Sequence, residues 1–362
     1  MQLKKASNTM MTEKEYRSIK DRLSYSSIKM FDSERKKFYN EFILGEKRED
    51  KASASTVMGQ LVHTLLSGED FESKFHIAVS VEPKGQMLDL VNNLYLRSLK
   101  TIVDGVQTDS FQSLFMDAVA ATKYDFNMQE IAFKGKDAAK ILGMFEGSDA
   151  EIYYKEKLSA IGKMVVSLPT IQQAERLVER IKGHSFTMEY ANAITAPEDG
   201  IEVFNEMPIL FEIGDVPYKS LVDKVIIDHE AKTIQPIDWK TSWDNEEPSY
   251  AYLKFGYYIQ AAMYDMALTN WKNDKGMADY VLHPMKFIFC DTGGFSDPIV
   301  LNTDGHDIMR GHKGFTVRGY RYRGLDELIN DIQWHLETGI WSTSKTIADK
   351  KGNIKLDILY GE

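Results

Sequence analysis

Asp223 and the tripeptide Asp238-Trp239-Lys240 are the residues of this chain whose types and spacing point to chemistry. The two aspartates lie 15 residues apart, room for a strand, a turn of about five residues and a return strand. Neighbouring strands run about 5 Å apart, so two carboxylates near a common sheet end can share one cation. Lys240 follows Asp238 by two residues, which in a strand puts both side chains on one face. Two carboxylates and an ammonium among Val225, Ile226, Ile227 and Ile237 are costly to desolvate unless a metal or a phosphate occupies the place. The tripeptide alone carries little, since Asp349 and Lys351 repeat its pattern in a polar tail. A surface ion pair at a strand end would explain it equally well.

Other residues add weight. His63 follows Gly59 by one helical turn, which leaves room beside an imidazole able to ligate a divalent ion; a hydrogen-bonded structural histidine is the plainer alternative. Gln260 and Tyr264, spaced i, i+4 after the Asp-x-Lys strand, share a helix face and are candidates for positioning DNA, with helix packing as the alternative for Tyr264. Glu206, on the strand before Asp223, reads either as a supporting group or as a solvated strand edge, and stays outside the candidate set. Residues 308–323 carry five Lys/Arg and no acid, with Phe315, Tyr320 and Tyr322 interleaved. From that run Arg310, Lys313, Arg318, Arg321 and Arg323 are candidates to follow a DNA backbone, against the plain reading of a solvated hairpin face.

The elements that must position these groups follow from periodicity. A helix is expected from Ser24, capped by Ser24 or Ser26, with Ile28, Phe31, Phe38 and Phe42 near helical spacing. A second is expected after the Ser/Thr cluster at 53–56, with Gly68 as its stop. Residues 87–195 read as an inserted helical layer. Segments 202–213, 217–228 and 234–241 read as consecutive antiparallel strands, with Pro208 and Pro236 favouring edge or bulged positions. A helix over about 248–269, a strand around 281–290 and a helix near 325–338 complete an α/β domain on one sheet.

Composition narrows the chemistry. The single Cys290 excludes internal disulfides, a cysteine-ligated iron–sulfur cluster and a cysteine zinc site. A metal held by carboxylates suits Mg²⁺ or Mn²⁺. The net charge of −10 argues against coating nucleic acid over the whole surface but leaves room for a local basic groove. No run approaches the roughly 18 apolar residues of a membrane span, and the N-terminus has no signal-peptide pattern. The expectation is a cytoplasmic protein with no membrane partner.

The segments LSYSSIKMF (23–31), MGQLVHTLL (58–66), SLVDKVII (220–227), IDWKTS (237–242), YYIQAAMY (257–264) and ETGIWS (337–342) together resemble the RecB-like branch of the PD-(D/E)XK nucleases, closest to the RecE (exonuclease VIII) type. Two features depart from it: Ser220 stands where the family often has glycine, and the cysteines of its iron–sulfur members are absent. The resemblance implies a single nuclease domain over 1–362, with a central mixed sheet flanked by helices and the helical insertion at 87–195. It makes His63, Asp223, Asp238 and the Trp239 carbonyl metal ligands, Lys240 the catalytic lysine, and Gln260 with Tyr264 the family's Gln-x-x-x-Tyr pair. The implied activity is Mg²⁺- or Mn²⁺-dependent hydrolysis of double-stranded DNA from its ends, 5′→3′, leaving single-stranded tails for recombination. A homo-oligomer and a single-strand annealing protein are the implied partners. An endonuclease or structure-specific nuclease with the same site, and a non-catalytic DNA-binding scaffold, stay open as alternatives.

Overall fold

The computed structural model describes residues 11–46, 53–103, 106–125, 133–214, 216–242 and 247–353. The chain divides into two compact units, one made of Met1–Arg48 with Leu177–Glu362, the other of Glu49–Arg176. The insertion expected over 87–195 is therefore bounded earlier at both ends. The reason is a short parallel pairing of Phe75–Ile77 with Met164–Val166, which closes the inserted unit from residues before 87.

After a short helix at Glu13–Ser18, the sheet unit has helix α1 (Tyr25–Ser33), capped by Ser24. Leu23 anchors its start by donating its N–H to Pro217 O (3.0 Å) and accepting from Lys219 N (2.8 Å). The long helix expected from Ser24 is broken after Ser33, where Glu34 leaves helical geometry.

The inserted unit is helical. Its first helix, α2 (Ala54–Ser67), is capped by Ser53 and ends at Gly68, whose φ of 73° is the left-handed stop that glycine provides without strain. Its core gathers Leu90, Leu94, Phe115, Ile141 and Phe145 from the following helices. Burial takes polar groups with it in satisfied pairs: Ser98 Oγ lies 2.7 Å from Tyr154 Oη, and Asn93 Nδ2 donates to Thr122 Oγ1 at 2.9 Å. Glu156 is the most connected acid there. It accepts from the N–H groups of Val79 (2.8 Å) and Ser80 (2.9 Å) and from the Ser80 hydroxyl, and lies 2.9 Å from His76 Nε2.

The sheet unit is built on β1 (Ile201–Ile213), β2 (Val216–Asp228), β3 (Thr233–Ser242), β4 (Val281–Leu282), β5 (Lys286–Asp291) and β6 (Ile299–Asn302). Their order is β6-β5-β3-β2-β1, with β4 also against β3. The first three form the expected antiparallel meander, while β3 and β5 run parallel, so the sheet is mixed. Alternating burial along β2 gives way at Lys224 and Val225, both buried, because the sheet is covered on both faces there. Lys224 enters by donating to Ala191 O and Ala193 O; its burial, and then Lys182, push its pKa down to about 8. Pro208 lies on the edge strand β1. Pro236 falls between the β4 and β5 pairings of β3, where no ladder partner needs its missing N–H.

The crossover from β3 to β5 is helical. The helix expected over 248–269 is two, α3 (Pro248–Lys254) and α4 (Tyr257–Asp274), separated at Gly256 with φ 72°. Helix α5 (Gly305–Lys313) follows β6, then the hairpin of β7 (Phe315–Val317) and β8 (Tyr320–Tyr322), then α6 (Leu325–Thr338). A Cβ on Gly311 would stand 2.2 Å from Tyr258 O, so glycine alone permits this approach of α5 to α4. The helices pack on the sheet through Ile28, Phe31, Ile259, Met263, Leu325 and Ile332. The expected α/β class, a mixed sheet flanked by helices, is what the chain adopts. Among the described residues no helix is long and apolar enough to cross a membrane.

Candidate metal and catalytic centre

The site is made by a fork in the sheet. The β2–β3 ladder runs from Asp228–Thr233 to Lys224–Ile237 and stops there. The next residue on each strand is Asp223 and Asp238. From Ile237 onward β3 pairs instead with β5, up to Ser242 opposite Asp291. Asp223 spans the fork, its Oδ2 accepting the Trp239 N–H at 2.8 Å.

Asp238 is 1% exposed. Its Oδ1 accepts from Gln260 Nε2 at 2.6 Å, and its Oδ2 is ion-paired with Lys240. The Lys240 ammonium lies 4.5 Å from the Tyr257 ring centroid and 5.7 Å from that of Phe287. Burial pulls its pKa down, but the Asp238 and Asp223 charges outweigh this and hold it above the ordinary lysine value. Tyr264, one turn beyond Gln260, donates its hydroxyl to Leu221 O at 2.7 Å, two residues before Asp223. Burial, then the negative charges of Asp238 and Asp223, raise the tyrosine's pKa.

Gln260 and Tyr264 thus differ from the expectation that they face DNA. They are 4% and 7% exposed and committed to Asp238 and to the β2 backbone. His63 stands half-buried on α2, in the inserted unit. Trp239 is 4% exposed and contributes its N–H to Asp223.

The basic run also divides. Arg323 binds Glu327, Asp32 and Asp331. Arg321 donates to Phe315 O, Tyr322 O and Lys313 O and pairs with Glu327. These two hold the hairpin to its surroundings. Arg318 occupies the exposed β7–β8 turn with Gly319, at φ 49° and 80°, both in the left-handed region a two-residue hairpin turn requires.

Two residues outside the candidate set belong to the site. Glu206 lies between the β1–β2 pairs Asn205–Lys224 and Met207–Val222, which puts it opposite Asp223. Carboxylate oxygens of the two lie within 4.8 Å of each other. Lys29 on α1 is half-buried, its ammonium 5.5 Å from the Phe255 ring. Its pKa is lowered by burial and then by the positive charge of Lys240.

A scan against protein-family models finds no match, and a search of curated proteins finds none. Among solved structures, a chain from Eubacterium rectale provisionally named an exonuclease is similar at 12% identity, with a TM-score of 0.43 over 96% of each chain.

Proposed function

We propose that this protein is a divalent-metal-dependent deoxyribonuclease that hydrolyses phosphodiester bonds from duplex ends. The observation that carries the reading is the sheet fork at Asp223 and Asp238, with Lys240 ion-paired to the second aspartate. Asp223, Asp238 and Glu206 are hard oxygen donors of the kind Mg²⁺ and Mn²⁺ take. An oxygen that already accepts one hydrogen bond keeps a second lone pair for an ion. The resemblance assigns His63 and the Trp239 carbonyl to the same ligand set.

An ion held there would polarise the phosphodiester and acidify the attacking water. Lys240, kept charged by its carboxylate neighbours, meets the negative charge that builds on the phosphoryl oxygens. Lys29 adds a second positive charge that Lys240 feels. Gln260 fixes one carboxylate, and Tyr264 fixes the strand that carries the other. The 5′→3′ direction, the single-stranded product, the homo-oligomer and an annealing partner belong to this reading through the resemblance alone.

The test is an end-labelled linear duplex incubated with Mg²⁺ or with EDTA. Release of the 5′ label first, only with Mg²⁺, is expected. Equal hydrolysis in EDTA, or none in Mg²⁺ or Mn²⁺, would refute the reading.

A further inference from the structure

A cavity of about 370 Å³ opens in the sheet unit, among α3, the start of α4, the end of β6, the first turns of α5, and β7. Tyr252, Tyr258 and Phe315 form its aromatic wall, and Asp307 and Arg310 supply charge. The Arg310 side chain is 60% exposed. Tyr252 is 9% exposed, and its buried hydroxyl has no hydrogen-bond partner among the described residues.

The position of the cavity narrows the ligand. Phe287 lies 5.6 Å from Tyr252 and 5.6 Å from Tyr257, the ring that covers the Lys240 ammonium. One aromatic layer therefore separates the cavity from the catalytic lysine. Aromatic faces suit a nucleobase, and the exposed arginine, 3.5 Å from Asp307, suits a phosphate. The volume lies within the roughly 300–1,000 Å³ typical of small-molecule sites.

We propose that this cavity takes one unstacked nucleotide of the substrate strand, with its base against Tyr252, Tyr258 and Phe315 and its phosphate toward Arg310. Its place beside the scissile bond rests on the nuclease reading, whereas nucleotide binding itself does not.

The experiment is an NMR titration of the full chain with each of the four deoxynucleoside 5′-monophosphates in EDTA, where no metal chemistry can intervene. Saturable shifts at Tyr258, Phe315 and Thr316 are expected. Ser249→Trp, at an exposed position on the cavity wall, should abolish them, with Thr316→Trp as a second block from β7. Arg310→Ala should remove the preference for monophosphate over nucleoside. Absence of saturation up to about 10 mM, or equal binding by folded Ser249→Trp and Thr316→Trp, overturns the proposal. Saturable binding of a tyrosine or phenylalanine amide in place of nucleotides overturns it too and turns the cavity toward a protein partner. Nucleotide binding in EDTA together with inert duplex DNA in Mg²⁺ would sink the nuclease reading and leave the nucleotide site standing.

Discussion

The Asp238 and Asp223 charges raise the Lys240 pKa against its burial, which on the nuclease reading suits a fixed positive charge rather than a base. Lys240→Ala should therefore lower turnover by about 10²–10³-fold, the scale of losing one electrostatic stabiliser, while Mn²⁺ binding by calorimetry persists. Asp238→Asn should lose both hydrolysis and Mn²⁺ binding, with the fold kept because the volume hardly changes. Retained hydrolysis in either variant would break the assignment. The aspartates and the lysine were legible because a strand's two-residue period and a short return turn fix where such groups go. Glu206 was legible only as a supporting group or a solvated strand edge, since the choice depends on register. The tight turn at Gly214 pairs Ile213 with Val216, and counting back along that register places Glu206 opposite Asp223. Lys29 was hidden for another reason: nothing local shows that α1 starts from the backbone of β2.

At the scale of elements, the basic hairpin shows what composition conceals. An acid-free run in sequence is not acid-free in space, because Asp32, Glu327 and Asp331 arrive from α1 and α6 to meet Arg323. Arg323→Ala should cost roughly 1–3 kcal/mol, read as a lower midpoint in urea unfolding. Arg318→Ala should leave that midpoint unchanged and flatten the salt dependence of DNA binding by about 0.9 in log–log slope; an unchanged slope would return Arg318 to a solvated turn. In the inserted unit, burial pushes the Glu156 pKa up. The Ser80 hydroxyl, the Val79 and Ser80 N–H groups and His76 outweigh it and bring the value down to about 2 from the ordinary 4.5. A carboxylate with a depressed folded pKa stabilises above its unfolded value and loses that contribution as pH falls through the folded one. Roughly 2–3 kcal/mol should therefore be lost between about pH 4.5 and 2. Glu156→Gln should remove this acid dependence, and hydrogen exchange at the Val79 and Ser80 amides should report it directly. The helix expected near 325–338 is Leu325–Thr338, as its amphipathic period indicated. The split at Gly256 was missed because one glycine between two apolar helical runs does not disturb the period.

For the whole molecule, the net charge of −10 fits a DNA path confined to a groove better than a generally basic surface. A confined path requires an end to thread. Supercoiled plasmid should persist with Mg²⁺ until linearised, whereas linear duplex should release mononucleotides or short oligonucleotides from the first minutes. Rapid nicking of closed circles, seen on a gel, would favour an endonuclease using the same residues. The division into two units was only partly legible. Helical periodicity marks an inserted layer, but its limits depend on the pairing of Phe75–Ile77 with Met164–Val166, and strands that short carry no pattern of their own. The discontinuity also orders events on the ribosome. Arg22 donates to Phe211 O and Tyr218 O across 189 and 196 residues, and at about 5–20 residues per second that separation is about 10–40 s of synthesis. During this interval Ile28, Phe31 and Phe38 have emerged without the strands they pack against, whereas all of Glu49–Arg176 is present before the first strand of the sheet exists. Ile28, Phe31 and Phe38 thus stay open to chaperones and proteases until the sheet strands that cover them are made.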